Sequence, residues 1–220
     1  MLISDIIGPV MVGPSSSHTA GAVRIGNIGL RLLGTKVERA DIGLHGSFLA
    51  TGRGHGTDKA IVAGLLGIAV DDERIPESFE IAGEQGMNFD IHGVDLGPDL
   101  HPNSARLILT GTNGKKIELI ASSIGGGRIR VNEIDGIQVN FSGELPTLIV
   151  HNEDKPGYVA EVTSILEAES VNIATLQLNR SKRGGYAVMV IECDQEVPKD
   201  AIRHLESLEG VLRVTYIAGE

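Results

Sequence analysis

Thr147-Leu148-Ile149-Val150-His151-Asn152-Glu153-Asp154-Lys155-Pro156-Gly157-Tyr158 carries an apolar strand through a polar turn into the start of a helix. The strand reads over Thr147 to His151, Pro156 pre-sets the dihedral that leads into the helix, and Tyr158 to Ala168 places apolar residues at helical spacing. Downstream, Asn172 to Arg180 and Tyr186 to Cys193 read as strands around the turn Lys182-Arg183-Gly184-Gly185. Asp200 to Leu208 reads as a second helix and Val211 to Tyr216 as a last strand. The order is βαββαβ, which lays two helices on one face of an antiparallel sheet.

Just upstream, the polar stretch Ser142-Gly143-Glu144 precedes Pro146 and a change of pattern, which marks a domain boundary near Leu145. The chain therefore divides into residues 1–144 and a ferredoxin-like unit, 145–220. In the first part, His18 to Leu33 has helical apolar spacing and ends at Gly34, a favourable residue just past a helix. Val37 to His45 reads as a strand, and Thr57-Asp58 is expected to cap an apolar helix, Ala60 to Ile68, that ends in Asp71-Asp72-Glu73. Beyond Pro76 the pattern predicts strands. Ala105 to Thr112 and Lys115 to Ser122 flank Asn113-Gly114, and Arg128 to Ile134 and Ile137 to Phe141 flank Asp135-Gly136; both dipeptides favour tight hairpins. The whole is a mixed α+β chain.

Composition narrows the function. Of 220 residues, 41% are hydrophobic and 22% charged, as in ordinary globular chains. Net charge is −10, about −5 on each side of Leu145 (17 acidic against 12 basic residues before it, 12 against 7 after), with no Lys/Arg cluster. That balance and the absence of Trp disfavour a nucleic-acid partner. One cysteine, Cys193, precludes an internal disulfide and cannot hold an iron–sulfur cluster, which takes about four thiolates. Met1 to Val12 is apolar but carries Asp5 and no basic flank, and no apolar run is long enough for a membrane span, so a cytoplasmic location is expected.

The polar chemistry is concentrated in a few turns. Pro14-Ser15-Ser16-Ser17-His18-Thr19 crowds hydroxyls at an expected helix start, where unpaired N–H groups favour an anion; a single N-cap needs only one of them. His45-Gly46-Ser47, Gly54-His55-Gly56-Thr57-Asp58 and His101-Pro102-Asn103 read as loops able to bring imidazoles together. No two histidines show the tight helical spacing of a zinc site, so no metal ligand is assigned, and His92 reads as structural. Gly125-Gly126-Gly127 reads either as a backbone cradle for an anion or as a flexible hairpin. In the second unit, Gly157 lets a ligand approach the helix N-terminus while Asn152, Asp154 and Asn172 could hold an ammonium group. The other reading has Asp154 as a cap and the module as a dimerisation surface. Cys193 reads as a buried thiol.

On Asn152 to Gly157, the helix after it and Val171-Asn172-Ile173, the second unit resembles the ACT domain, a regulatory module that typically binds amino acids. Gly13 to Gly21, His45-Gly46-Ser47, Gly54 to Asp58, His101-Pro102-Asn103 and Gly125-Gly126-Gly127 together resemble the β portion of bacterial iron–sulfur-dependent L-serine dehydratases, across the whole chain. The resemblance implies a lyase that converts L-serine to pyruvate and ammonia, with a [4Fe–4S] cluster bound by cysteines of a separate α subunit and acting as Lewis acid. It also implies that this chain is inactive alone. Ser16, Ser17 and Thr19 would anchor the serine carboxylate, with His45, Ser47, Thr57, Asp58, Asn103, Gly125 and Gly126 completing the substrate site. His18, His55 and His101 are the acid–base candidates. His55 is the preferred base, between two glycines and with Asp58 as its expected orienter. The first domain is also similar to the allosteric substrate-binding domain of some 3-phosphoglycerate dehydrogenases, which implies the alternative of a non-catalytic module binding a small acid or amino acid. Homodimerisation through ACT sheet edges is the default expectation.

Overall fold

The computed structural model describes residues 10–219, so the stretch Met1 to Pro9 lies outside the described residues. Contacts divide the chain into Met1–Asp135 and Gly136–Glu220, ahead of the Leu145 marked by composition, because the strand Ile137–Phe141 packs against strands of the second unit.

Among the described residues, the first element of the first unit is one turn of π-helix, Ser16–Ala20, that continues into α1, Gly21–Leu33. Gly34 ends α1 in the left-handed conformation, φ 72°, its N–H on the Leu30 carbonyl. Then come β1 Val37–Leu44, α2 Gly46–His55, α3 Thr57–Leu65 and α4 Ser78–Glu84, followed by β2 Asn88–Gly93, β3 Ser104–Gly111, β4 Lys116–Gly125 and β5 Arg128–Ile134. The strands lie in the order β2-β1-β3-β4-β5, parallel between β1 and β2 and antiparallel elsewhere. Leu107, Leu109 and Leu119 meet α1 at Gly29, where a methyl would already stand 3.1 Å from Leu109. Helices α1 and α3 cross at backbone contact: a methyl on Gly64 would lie 2.1 Å from the Val23 carbonyl and one on Gly26 2.3 Å from that of Ile61.

Four expectations change. The stretch Gly46–His55, expected as loops, is a helix whose start is held by Ser47 and Phe48 N–H groups on the Pro102 carbonyl and by the fully buried Phe48 ring. The second helix starts at Thr57, and no side chain caps it: Gly56, φ 68°, both closes α2 and precedes α3, while Asp58 accepts only from the Lys59 N–H. The chain beyond Pro76 forms α4 before any strand, anchored by buried Ile75 and by Ser78, whose hydroxyl donates to the Lys59 carbonyl at 2.8 Å. The expected helix from His18 begins as the π turn. Both dipeptide turns form, with Gly114 at φ 80° and with Asp135 and Gly136 at 49° and 79°.

The second unit adds β6 Ile137–Phe141, β7 Thr147–Glu153, α5 Tyr158–Ala168, β8 Ile173–Arg180, β9 Tyr186–Cys193, α6 Lys199–Ser207 and β10 Val211–Ile217. After β6 the order is the predicted βαββαβ, with an antiparallel sheet β10-β7-β9-β8. Leu148, Val150, Met189 and Ile191 pack under Val162 and Leu166 of α5 and Ala201 and Leu205 of α6. Among the described residues no helix is long and apolar enough to cross a membrane.

Candidate active site

Ser15 shapes the first turn. Its hydroxyl accepts the His18 N–H at 3.1 Å and its carbonyl the Thr19 N–H at 2.8 Å, so it is the cap that the crowd of hydroxyls needed. The Gly21 N–H then closes on the Ser16 carbonyl, five residues back. Single π turns recur at functional sites. This one carries His18. Its Nε2 lies 3.1 Å from Ser47 Oγ and 3.1 Å from Thr51 Oγ1, and its ring stands 5.4 Å from Phe48 and 5.0 Å from His55, centroid to centroid. Thr19 does not face outward to hold a carboxylate as expected: it is buried, and its hydroxyl donates to the His55 carbonyl at 3.3 Å.

His55 is tied through Nδ1 to the Thr51 carbonyl at 3.1 Å, so Thr51, and not Asp58, orients it. Burial above all, then the charge of nearby His55, hold His18 below the ordinary imidazole range, with the Ser47 carbonyl offsetting part of the effect. A hollow bounded by Pro14, Thr19, His55, Gly56 and Lys59 opens beside the pair. Ser16 and Ser17 stand half-buried on the turn itself.

The surrounding backbone closes a ring. Ser47 N–H donates to the Pro102 carbonyl at 2.7 Å, and Ser123 N–H to that of Asn103 at 2.8 Å. Ser123 abuts Gly21, where a methyl would lie 2.1 Å from its Oγ. Within this frame Thr57 Oγ1, Asn103 Oδ1 and Ser123 Oγ are buried without a hydrogen-bond partner in the described residues. Each such atom costs about 1–3 kcal/mol, a cost commonly retained where a function uses it.

Other expected residues lie elsewhere. His45 Nδ1 accepts the Leu96 N–H at 3.2 Å and fixes the segment after β2. His101 is exposed, accepts the Asn103 N–H on Nδ1 at 3.1 Å, and lines a second hollow with Ser122, Arg130 and Asn132. Gly125 and Gly126, at φ 103° and 62°, form the β4–β5 hairpin turn, and the Gly127 carbonyl takes the Arg24 guanidinium at 3.0 Å. Asp41, Asp90 and His92 bring donor atoms within 4.8 Å of one another on β1 and β2, as an exposed His92–Asp41 ion pair of 2.9 Å.

In the second unit, Asp154 Oδ2 accepts from Gly184 N–H at 2.9 Å and Arg180 at 3.2 Å, and these hold its carboxyl below the usual range. Asn152 is buried beside it, and Gly157, φ 107°, precedes α5. Asn172 binds Asp194 and Gln195 at the other end of β8 and β9, roughly seven strand residues or 23 Å away, so one chain does not gather the four around a single ammonium group.

Reasoning from sequence missed Ser15, Thr51 and Lys59. Ser47, Thr51 and His55 stand at i, i+4 and i+8, a stripe visible once Gly46–His55 is taken as a helix.

A hydroxyl-rich turn and a histidine pair lie in an α+β unit, and a βαββαβ unit follows it. The chain belongs to the serine dehydratase beta chain family, which matches residues 4–134, and the ACT domain family matches residues 146–210. It is 41% identical to a probable L-serine dehydratase, beta chain, of Bacillus subtilis, covering 98% of this chain and 97% of that one. It is 36% identical to the L-serine dehydratase, beta chain, of Peptoniphilus asaccharolyticus, covering 97% and 96%. An L-serine dehydratase of Helicobacter pylori is 30% identical over 94% of this chain and 50% of its own length.

Proposed function

We propose that this chain is the β chain of an L-serine dehydratase, which eliminates water from L-serine and yields pyruvate and ammonia after the enamine product hydrolyses, and that a separate α chain completes the site with a [4Fe–4S] cluster. The observation that carries the reading is the His18–His55 pair beside the Ser16–Ser17 turn. Two imidazoles 5.0 Å apart next to hydroxyl donors suit proton transfer at an amino acid held by its carboxylate. An anion sensor would instead gather Arg and Lys.

The donor set of this chain does not fit the cluster. Its one thiol, Cys193, is buried in the core of the second unit, and burial pushes it up to about 11, whereas a cluster takes about four thiolates. The cluster is therefore assigned to the partner, and departure of the hydroxyl lies outside what these residues supply. The length of the Helicobacter pylori relative, twice the matched region, supports a second functional portion.

What this chain supplies is binding and a base. Ser16 and Ser17 hold the carboxylate at the π turn. Since the Thr51 carbonyl can only accept, His55 Nδ1 carries its proton and donates it there, which leaves the Nε2 lone pair to take the Cα proton. His18, disfavoured as a cation, stays neutral beside it. Co-expression with a cysteine-bearing partner, followed by an anaerobic pyruvate assay, tests the assignment: pyruvate forms from L-serine with both chains and with neither alone. A cluster-loaded complex that leaves L-serine unchanged overturns it. Homodimerisation through the β8 edge is also proposed, supported by the exposure of Leu176 and Leu178 there, and light scattering of the chain reads it directly.

A further inference from the structure

We propose that Thr51 is a positioning residue that sets the proton positions on both imidazoles, an inference that rests on reading His55 as the base. One turn of α2 separates Ser47 from Thr51 and the next separates Thr51 from His55, so the three share one face of the helix. Its hydroxyl donates its proton to the Ser47 carbonyl at 2.9 Å, the back-bond typical of helical threonine. The oxygen is left with lone pairs only, and it faces His18 Nε2 at 3.1 Å. Facing that lone pair, Nε2 carries the proton and donates it, and Ser47 Oγ, also 3.1 Å away, is a hydroxyl oxygen able to accept the same proton. His18 Nδ1 then holds the lone pair, toward the Ser15 hydroxyl at 3.5 Å.

The other end of Thr51 acts on the other ring. Its carbonyl takes the His55 Nδ1 proton at 3.1 Å. One residue thus selects the Nε2–H form of His18 with its side chain and the Nδ1–H form of His55 with its backbone. The opposite tautomers would each set a lone pair against a lone pair. Thr51 is solvent-exposed and fills no part of the core, so its hydroxyl can be removed without opening a cavity.

The test uses the full chain labelled with 15N-histidine, and long-range 1H–15N spectra recorded above the histidine titration range. Wild type shows His18 as Nε2–H and His55 as Nδ1–H. Thr51→Val, an isostere without the hydroxyl, gives His18 as a mixture of both tautomers, and Thr51→Ser restores the single form. Thr51→Val leaves the carbonyl on His55 in place, so in the two-chain complex it acts through the unfixed His18 ring beside the base and lowers kcat roughly tenfold to a hundredfold with KM little changed, and Thr51→Ser recovers most of it. Wild-type His18 in the Nδ1–H form, or a Thr51→Val chain with unchanged tautomers and turnover, overturns the proposal. If His55→Ala keeps its turnover while these tautomers are as stated, it is the base assignment that falls and the tautomer control by Thr51 that stands.

Discussion

His18 and His55 face each other with ring centroids 5.0 Å apart and planes tilted by 39°. Two imidazolium ions at that separation in a partly desolvated hollow repel, so the pair resists carrying two charges. Burial adds to the effect at His18.

The first consequence is a depressed titration of His18. NMR of the ring protons should show His18 titrating below the ordinary value of about 6.5. His55→Gln, which removes the neighbouring charge, should raise it. Because the folded chain resists protonation at His18, the stability this group contributes is complete above about pH 6.5 and is lost as pH falls through the depressed folded value. An unchanged His18 titration in His55→Gln would show that the rings are not coupled.

His92 has the opposite sign. Its hydrogen bond to Asp41 is the main cause of a raised pKa, with the Gly93 carbonyl and the charges of Asp41 itself and of Asp90 assisting. Asp41→Asn should bring the His92 titration down toward the ordinary value in the same spectra. The stability linked to this pair is present below about pH 6.5 and fades as pH rises through the folded value, and it is small because both side chains are exposed.

The crossing of α1 and α3 tolerates no side chain at Gly64, since a methyl would meet the Val23 carbonyl at 2.1 Å. Gly64→Ala should lower unfolding stability by about 1–3 kcal/mol, the range for overpacking, read as a shift of the urea midpoint. Gly83→Ala, where a methyl meets nothing within 4 Å, is the control and should be neutral or mildly stabilising.

Cys193 gives a check on the cluster assignment. A buried thiol held near 11 should resist alkylation in the native chain at pH 8 and react fully once urea unfolds it. Rapid native labelling would place it at an accessible, activated position and reopen the question of thiolate ligands on this chain.

Elements with a strong local period or turn signal were legible without coordinates. The second unit's strands and helices fall within about two residues of their predicted limits, since Pro156, Gly157 and the Lys182–Gly185 turn punctuate alternating apolar runs. Helix α2 was not legible. Gly46, Gly52 and Gly54 weaken its propensity, it carries no apolar stripe, and its stability comes from Phe48 in the core and from Pro102 at its start, both long-range. That one miss hid Thr51, because its role depends on helical spacing from Ser47 and His55. Chemistry in the Pro14–Thr19 turn was visible as an excess of hydroxyls, but which of them caps, which braces His55 and which remains for a ligand depends on the π turn, for which periodicity has no signature.

In the proposed reaction His55 Nε2 removes the Cα proton of L-serine. Steady-state turnover of His55→Ala in the complex with its cysteine-bearing partner measures it most directly, with cluster content checked by absorbance. If His55 is the base, kcat falls by about a hundredfold or more, as expected on losing an essential general base, with the cluster still in place. Turnover within about twofold of wild type in that fully loaded complex would contradict it.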